Sequence, residues 1–366
     1  MEFLIDKKYF SLQLKKISNI IKTNDLNNIF AYMKVVCEDE KIFLYASNEI
    51  MGIQLCIDEK ITIKKNGSFV IEFAVLNKII EKIKCDSILL KISENSLLIY
   101  DKNSSVTLNL FSEQEFVDLS FEENGQEKFI LNNKMIVQVN AKILISAIKN
   151  KDDITPYKGV CVNSEKEDGF IEFTCTDTHQ LSYIKFPFKG VKFCNTLFPS
   201  LFSCLILSSS DTECFFSNRR IICKQDNIIY NCALIEGKYQ SASKIINSEP
   251  PYTVMLSNNL FINCIEKAII IGGNDIRANF TFLKDEVIIS CQNIERGVYS
   301  EKIPFINNTN IKEEIKIIFN PSKILSLLKC IETENVVIQF TSPLLPILIK
   351  EEKNSNFVSL TLPLRR

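Results

Sequence analysis

Asp6-Lys-Lys-Tyr9-Phe10, Asn140-Ala-Lys-Ile143-Leu144 and Ser257-Asn-Asn-Leu260-Phe261 follow one pattern. In each, a short apolar strand leads into a capping residue, two spacers and an apolar pair. Asp, Asn and Ser cap helices because their side-chain oxygens accept from the unpaired amides of a first turn. Helical spacing follows, through Phe10, Leu14, Ile17 and Ile21 in the first copy and Ile143, Leu144, Ala147 and Ile148 in the second. Each copy is expected to open with an amphipathic helix.

A second helix is predicted in each copy after strand-like alternation, starting near Phe73, Pro199 and Asn320. Proline suits the first helical position, where its missing N–H would be unpaired in any case. The second helices begin 126 and 121 residues apart and the first caps 134 and 117 apart, close to one third of the 366-residue chain. Runs rich in Val, Ile, Phe and Thr, such as Lys41 to Ala46, Gly169 to Thr176 and Glu286 to Cys291, read as strands. Polar joins at Ser120 to Lys128 and Ser248 to Pro251 then set three similar α+β domains, 1–126, 127–248 and 249–366, each with two helices and antiparallel sheets.

Apolar residues make up 46% and charged residues 24%, the balance of a folding globular chain rather than a disordered or fibrous one. Apolar runs such as Ala268 to Ile271 and Pro343 to Ile349 fall far short of the roughly 20 residues that span a bilayer. The opening Met1-Glu-Phe-Leu-Ile-Asp-Lys-Lys does not read as a secretory signal, so a cytoplasmic protein with no membrane partner is expected.

Of 13 cysteines, the closest pairs are nine residues apart (Cys214/Cys223 and Cys223/Cys232), and no Cys-x-x-Cys occurs. That spacing argues against a zinc ribbon and for reduced, buried thiols. His179 is the single histidine, which removes His-rich metal sites and any mechanism needing two imidazoles. Cys175, Asp177 and His179 have the residue types of a catalytic set, but alternate residues on a strand lie about 6.6 Å apart, beyond the roughly 3 Å of a hydrogen bond. There is no Gly-x-x-x-x-Gly-Lys phosphate loop. No catalytic residue, metal or cofactor is expected; the alternative is a cytosolic hydrolase with a carboxylate-lined cleft between repeats.

The net charge is only −1, but it is unevenly spread. The six expected helices (7–22, 73–84, 141–151, 199–208, 258–271 and 320–330) carry +12, leaving −13 on the rest, and their only acids are Glu81 and Glu266. Glu and Lys have similar helix propensity, so the imbalance suggests one basic helical surface suited to phosphates. Candidates lie off the apolar stripes: Lys8, Lys15, Lys16, Lys22, Lys78, Lys82, Lys142, Lys149 and Lys323. With 37 lysines against six arginines, such contacts would favour backbone phosphate over base edges.

Three local stretches, in order along the whole chain, complete the reading. Thr176-Asp177-Thr178-His179-Gln180-Leu181, Phe319-Asn320-Pro321-Ser322-Lys323-Ile324-Leu325 and Leu360-Thr-Leu-Pro-Leu-Arg-Arg366 resemble motifs of the bacterial DNA polymerase III beta subunits, the DNA sliding clamps. The resemblance implies a head-to-tail homodimer closing into a ring, with helices inside and sheets outside. It implies a non-catalytic replication processivity factor that encircles double-stranded DNA. Partners would be the replicative DNA polymerase catalytic subunit, the clamp loader, repair polymerases and other proteins bearing the same short motif.

The resemblance also implies residue roles. Tyr157, Thr176, Thr178, His179, Leu181, Ile245, Leu344, Pro346, Leu360, Leu362, Pro363 and Leu364 would form the hydrophobic pocket for partner peptides. Val106 and Leu108 would meet Ile270, Ile271 and Ile276 across the dimer. Thr178 stands where the family has glycine, Gln180 where it has arginine and Gln240 where proline is common, so peptide preference is expected to differ.

Overall fold

The computed structural model describes residues 1–366 except 22–28, 102–103, 118, 123–126, 148–155, 166–168, 200, 207, 218, 240–242, 274–276, 308, 310 and 365–366. Seven α-helices stand among them: α1 Lys7–Ser18, α2 Phe73–Lys82, α3 Asn133–Gln138, α4 Phe202–Leu205, α5 Ser243–Ile246, α6 Asn258–Gly272 and α7 Pro321–Leu328. The chain forms two compact units, 1–136 with 201–234 and 137–200 with 235–366, the boundary falling within α3. No helix among the described residues is long and apolar enough to cross a membrane.

The cap of α1 forms as the sequence predicts, Asp6 accepting from the Tyr9 amide at 2.8 Å. The helix buries Phe10, Leu14 and Ile17, each contributing about 1.5–3 kcal/mol. Asn320 caps α7 through the Ser322 amide at 3.0 Å, with Pro321 at the first position. At Ser257 the side chain makes no cap bond, and α6 ends at Gly273, whose φ of +83° suits glycine.

The second copy departs from expectation. Its opening helix begins at Asn133, not after Asn140, and the cap is Asn132, whose Oδ1 accepts from Met135 N–H at 2.9 Å. Asn132 lies 126 residues after Asp6 and 125 before Ser257, a tighter repeat than the one read from Asn140. After Gln138 the chain continues as a π-helical turn, Val139–Ile143, then a 3-10 turn, Leu144–Ser146. The buried stripe is Met135, Ile136, Val139, Lys142, Ile143 and Ser146. The second helix of this copy, expected over 199–208, is only the four residues of α4.

All strand pairs in four sheets are antiparallel, and two of the sheets are large. The first unit has a five-stranded sheet, in order Ile61–Lys65, Glu2–Asp6, Ser87–Ser93, Ser96–Tyr100 and Ser105–Asn109. Its eight-stranded sheet joins middle-third strands to first-third strands where Ile228–Ala233 pairs with Met51–Ile57. In the second unit a nine-stranded sheet makes the equivalent junction, Gln180–Pro187 against Asn354–Thr361. Its four-stranded sheet runs Gly297–Pro304, Glu286–Asn293, Ala278–Phe282 and Ile315–Phe319. The middle third thus gives strands to both large sheets, so backbone ladders, rather than side chains alone, tie it to its neighbours in the chain.

Candidate functional site

Strands Phe170–Thr176 and Gln180–Pro187 are joined by a turn built on Thr176 and Asp177. Thr176 Oγ1 donates to the Gln180 carbonyl at 2.6 Å and accepts from Thr178 N–H at 3.0 Å. Asp177 Oδ1 accepts from the amides of His179 and Gln180 at 2.9 and 2.7 Å. Its Oδ2 accepts from Lys323 Nζ, on the first turn of α7, at 2.5 Å. Burial pushes the Asp177 carboxyl up, but the Lys323 bond and the two amides outweigh it and hold it below its ordinary value of 3.8.

Register then delivers the apolar floor. Leu181 pairs with Leu360, and Leu360 with Leu348, so one sheet face gathers Leu181, Leu348, Val358 and Leu360 with Ile246 and Tyr183. Beyond the strand, Leu362 N–H donates to His179 O at 2.8 Å. Leu344, Leu362 and Ile245 are 76%, 38% and 42% exposed. Leu364 N–H donates to Ile318 O at 2.8 Å, and Leu344 and Leu364 line a cleft of about 570 Å³ with Pro343, Ile318, Glu314 and Lys316. Pro346 and Pro363 are half-buried in these same segments. Tyr157 packs edge-on against Tyr239 at 5.2 Å between centroids, and the Tyr239 hydroxyl accepts from Thr176 N–H at 3.1 Å.

The structure therefore brings Thr176, Thr178, His179, Leu181, Leu360 and Leu362 to one corner, reaches Tyr157 through Tyr239, and sets Leu344 and Leu364 in the cleft. Ile246, Ile318 and Pro343 were not anticipated. Ile246 follows Ile245 in the sequence, and only the fold decides which of the pair is buried. Gln180 is buried and donates to the Ile145 carbonyl at 3.1 Å, so it is no exposed substitute for a charged arginine. Gln240 lies outside the described residues.

Cys175 is not poised as a nucleophile. Cys175 is buried, its thiol is pushed up by burial, and it donates to the Gly159 carbonyl at 3.3 Å. No group of three or more His, Cys, Asp or Glu side chains suited to a metal ion occurs among the described residues.

The lysines divide. Lys8, Lys15, Lys78 and Lys82 are exposed on α1 and α2. Lys16 is half-buried, bonded to Asn227 Oδ1 at 3.4 Å, and burial lowers its pKa. Lys22 and Lys149 lie outside the described residues. Lys142, expected to face DNA, does not: its side chain is 1% exposed, its Nζ lies 2.6 Å from Glu351 Oε1 and 5.1 Å from the Phe357 ring centre. Its helix starts eight residues earlier than read from Asn140, which places Lys142 on the apolar stripe. Burial pushes the Glu351 carboxyl up, yet bonds from Lys142, the Glu332 amide and Asn354 hold it below its ordinary 4.5.

Val106 and Leu108 lie on Ser105–Asn109, an open edge of the five-stranded sheet. Ile270 (68% exposed) and the half-buried Ile271 end α6, and Ile276 lies outside the described residues. Another edge strand, Gly297–Pro304, carries Val298 at 72% exposure and was not anticipated.

Comparison with known proteins places this geometry. Residues 1–120 match the profile of the DNA polymerase III beta subunit, N-terminal domain, and 243–365 that of its C-terminal domain. The beta sliding clamps of Mycoplasma genitalium and Halalkalibacterium halodurans are each 23% identical, with full coverage of both chains. The solved beta subunit of Streptococcus pyogenes DNA polymerase superposes with a TM-score of 0.90 at 20% identity, covering 100% of both chains. The Bacillus subtilis sliding clamp gives 0.89 at 18%, covering 100% of this chain and 99% of that one. Profiles matching both ends, relatives aligned end to end and a shared fold lead to one conclusion: the chain belongs to the DNA polymerase III beta subunit family.

Proposed function

We propose that this chain is a replication processivity factor: a homodimeric ring that encircles duplex DNA and tethers the replicative polymerase through the Thr176–Leu181 corner. The observation that carries the reading is the end-to-end likeness to proteins named beta sliding clamps, together with their fold. Three repeated modules, 1–126, 127–248 and 249–366, form the unit of the ring. The helices point to the hole; α1, α2, α3, α5, α6 and α7 contain only two acids, Glu81 and Glu266, and α4 none. Exposed Lys8, Lys15, Lys78 and Lys82 attract phosphate without registry, so the ring stays on DNA and still slides.

The edge strands Ser105–Asn109 and Gly297–Pro304 are unlike. Pairing each with the other edge of a second copy satisfies both ladders and makes a head-to-tail contact that closes after two chains. Exposed Leu344, Leu362 and Ile245 above the Leu181–Leu360 floor suit an incoming peptide's hydrophobic side chains. Tethering raises the polymerase's effective concentration at the primer end, so binding alone prolongs synthesis and the chain itself is non-catalytic. Clamp loader and repair polymerases would use the same corner, in the cytoplasm.

The test is to load the protein with its cognate loader onto nicked circular DNA and then linearise the circle. Retention before the cut and release after it are expected; equal release from both forms rejects the ring.

A further inference from the structure

Thr178 is out of keeping with its backbone. Its φ is +72°, in the left-handed region that a β-branched residue enters only when its surroundings hold it there. Most of that hold is local: the Thr176 hydroxyl and Asp177 Oδ1 take the amides of Thr178, His179 and Gln180. Among its longer-range bonds, one comes from a charged side chain. Lys323, 146 residues along the chain, reaches Asp177 Oδ2. Its helix is a firm base, capped by Asn320 and anchored by buried Ile324, Leu327 and Leu328. The turn is also coupled to the groove, because the His179 carbonyl accepts from Leu362 N–H and Leu181 begins the floor.

We propose that Lys323 is a positioning residue of the partner groove rather than a phosphate contact. Its ammonium holds Asp177, and through Asp177 the left-handed turn at Thr178, so that His179, Leu181 and Leu362 keep the arrangement a partner's hydrophobic chain requires. The proposal rests on the reading of this corner as the partner site. Glycine at 178 would take the same φ without strain, and the turn would then need little outside support. Lys323 and Thr178 are thus linked features of this chain: the strap offsets the side chain.

The experiment measures binding of the purified replicative polymerase catalytic subunit from the same organism to immobilised full-length protein. Lys323→Met and Asp177→Asn should each weaken binding about fivefold, the scale of a partly screened ion pair. Asn keeps an acceptor for the two turn amides, so its effect isolates the strap. The double variant should bind no worse than the weaker single one, Lys323→Arg should restore most affinity, and in a Thr178→Gly background Lys323→Met should cost less than half as much. Hydrogen exchange at the His179 and Gln180 amides should quicken in Lys323→Met with or without polymerase. Unchanged exchange overturns the strap, as does an equal loss in the Thr178→Gly background. Unchanged polymerase affinity with reduced retention on circular DNA makes Lys323 a phosphate contact and also overturns it. Wild-type protein that binds no polymerase, while exchange still responds to Lys323→Met, sinks the partner-site reading and not the strap.

Discussion

Lys16 and Lys142 stand ten residues after equivalent helix caps, Asp6 and Asn132, yet their surroundings differ. Lys16 is half-buried, bonded to the Asn227 side-chain oxygen with the Asp226 carboxylate acting from farther off, and Lys142 is sealed in direct contact with Glu351 with Phe357 beneath it. The same offset from Ser257 gives Lys267, which is exposed and bridges to Glu301 at 2.8 Å. One position in a repeated helix has thus acquired three environments. What differs is the rest of each helix: α1 stays α-helical, whereas α3 runs into a π turn that carries Lys142 inward toward a carboxylate from the last module. A lysine on a helix of this fold is therefore not by itself a DNA contact.

The comparison is broken most directly at Lys142. Lys142→Met leaves Glu351 buried without its cation and should cost about 3–5 kcal/mol of stability, read by urea unfolding. Adding Glu351→Leu should recover most of that loss. A Lys142→Met protein of wild-type stability that slips off circular DNA would return Lys142 to the DNA-facing set.

Acid sharpens the same contrast. Glu351 and Asp177 both have carboxyl pKa values below the ordinary 4.5 and 3.8. Each contributes stability that is present above its ordinary pKa and is lost as pH falls through its lowered, folded value. Wild type should therefore lose stability as pH falls below about 4.5, and Glu351→Gln should show a shallower loss there. Parallel curves for the two proteins would contradict the bonding around Glu351.

Next in size are the exposed lysines of α1. Lys8→Glu and Lys15→Glu should each leave unfolding unchanged and lower retention on nicked circles severalfold, with the slope of log affinity against log salt reduced by about one per lost contact. Retention that ignores both substitutions would place the basic surface elsewhere. Smallest is Lys267→Ala: an exposed pair of this kind should leave melting and DNA retention within experimental scatter, and a clear change in either would show that the third copy resembles the second more than the first.

Much of this was legible in the residues. Asp6 and Asn320 cap helices as their positions suggest, and the strand alternation read at Lys41 to Ala46 is seen in Lys41–Ser47. The Thr176–Leu181 turn was legible through its resemblance to a family motif, though its strap to Lys323 was not, since nothing local marks a contact across 146 residues. The cap at Asn140 was misplaced because Asn140, Ile143 and Leu144 imitate the motif. The true cap opens the same pattern, Asn132-Asn-Lys-Met135-Ile136, so the local sequence offers both starts and only the structure chooses between them. The open edge Gly297–Pro304 was missed because an edge strand and an interior strand can share one alternation; only the ladder shows which side is unpaired.

The sequence by itself determined the caps at Asp6 and Asn320, the scarcity of acids in the helices and the residues of the turn at the candidate corner. Each of these is written in short-range spacing, where caps, apolar periods and turn residues act within a few positions of one another. Only the tertiary structure decided which lysines are free and which are locked, and which strands of the middle third join which sheet. Those outcomes depend on partners far away in the chain, and a buried charge is tolerable only where such a partner, here Glu351 for Lys142, is brought within hydrogen-bond reach.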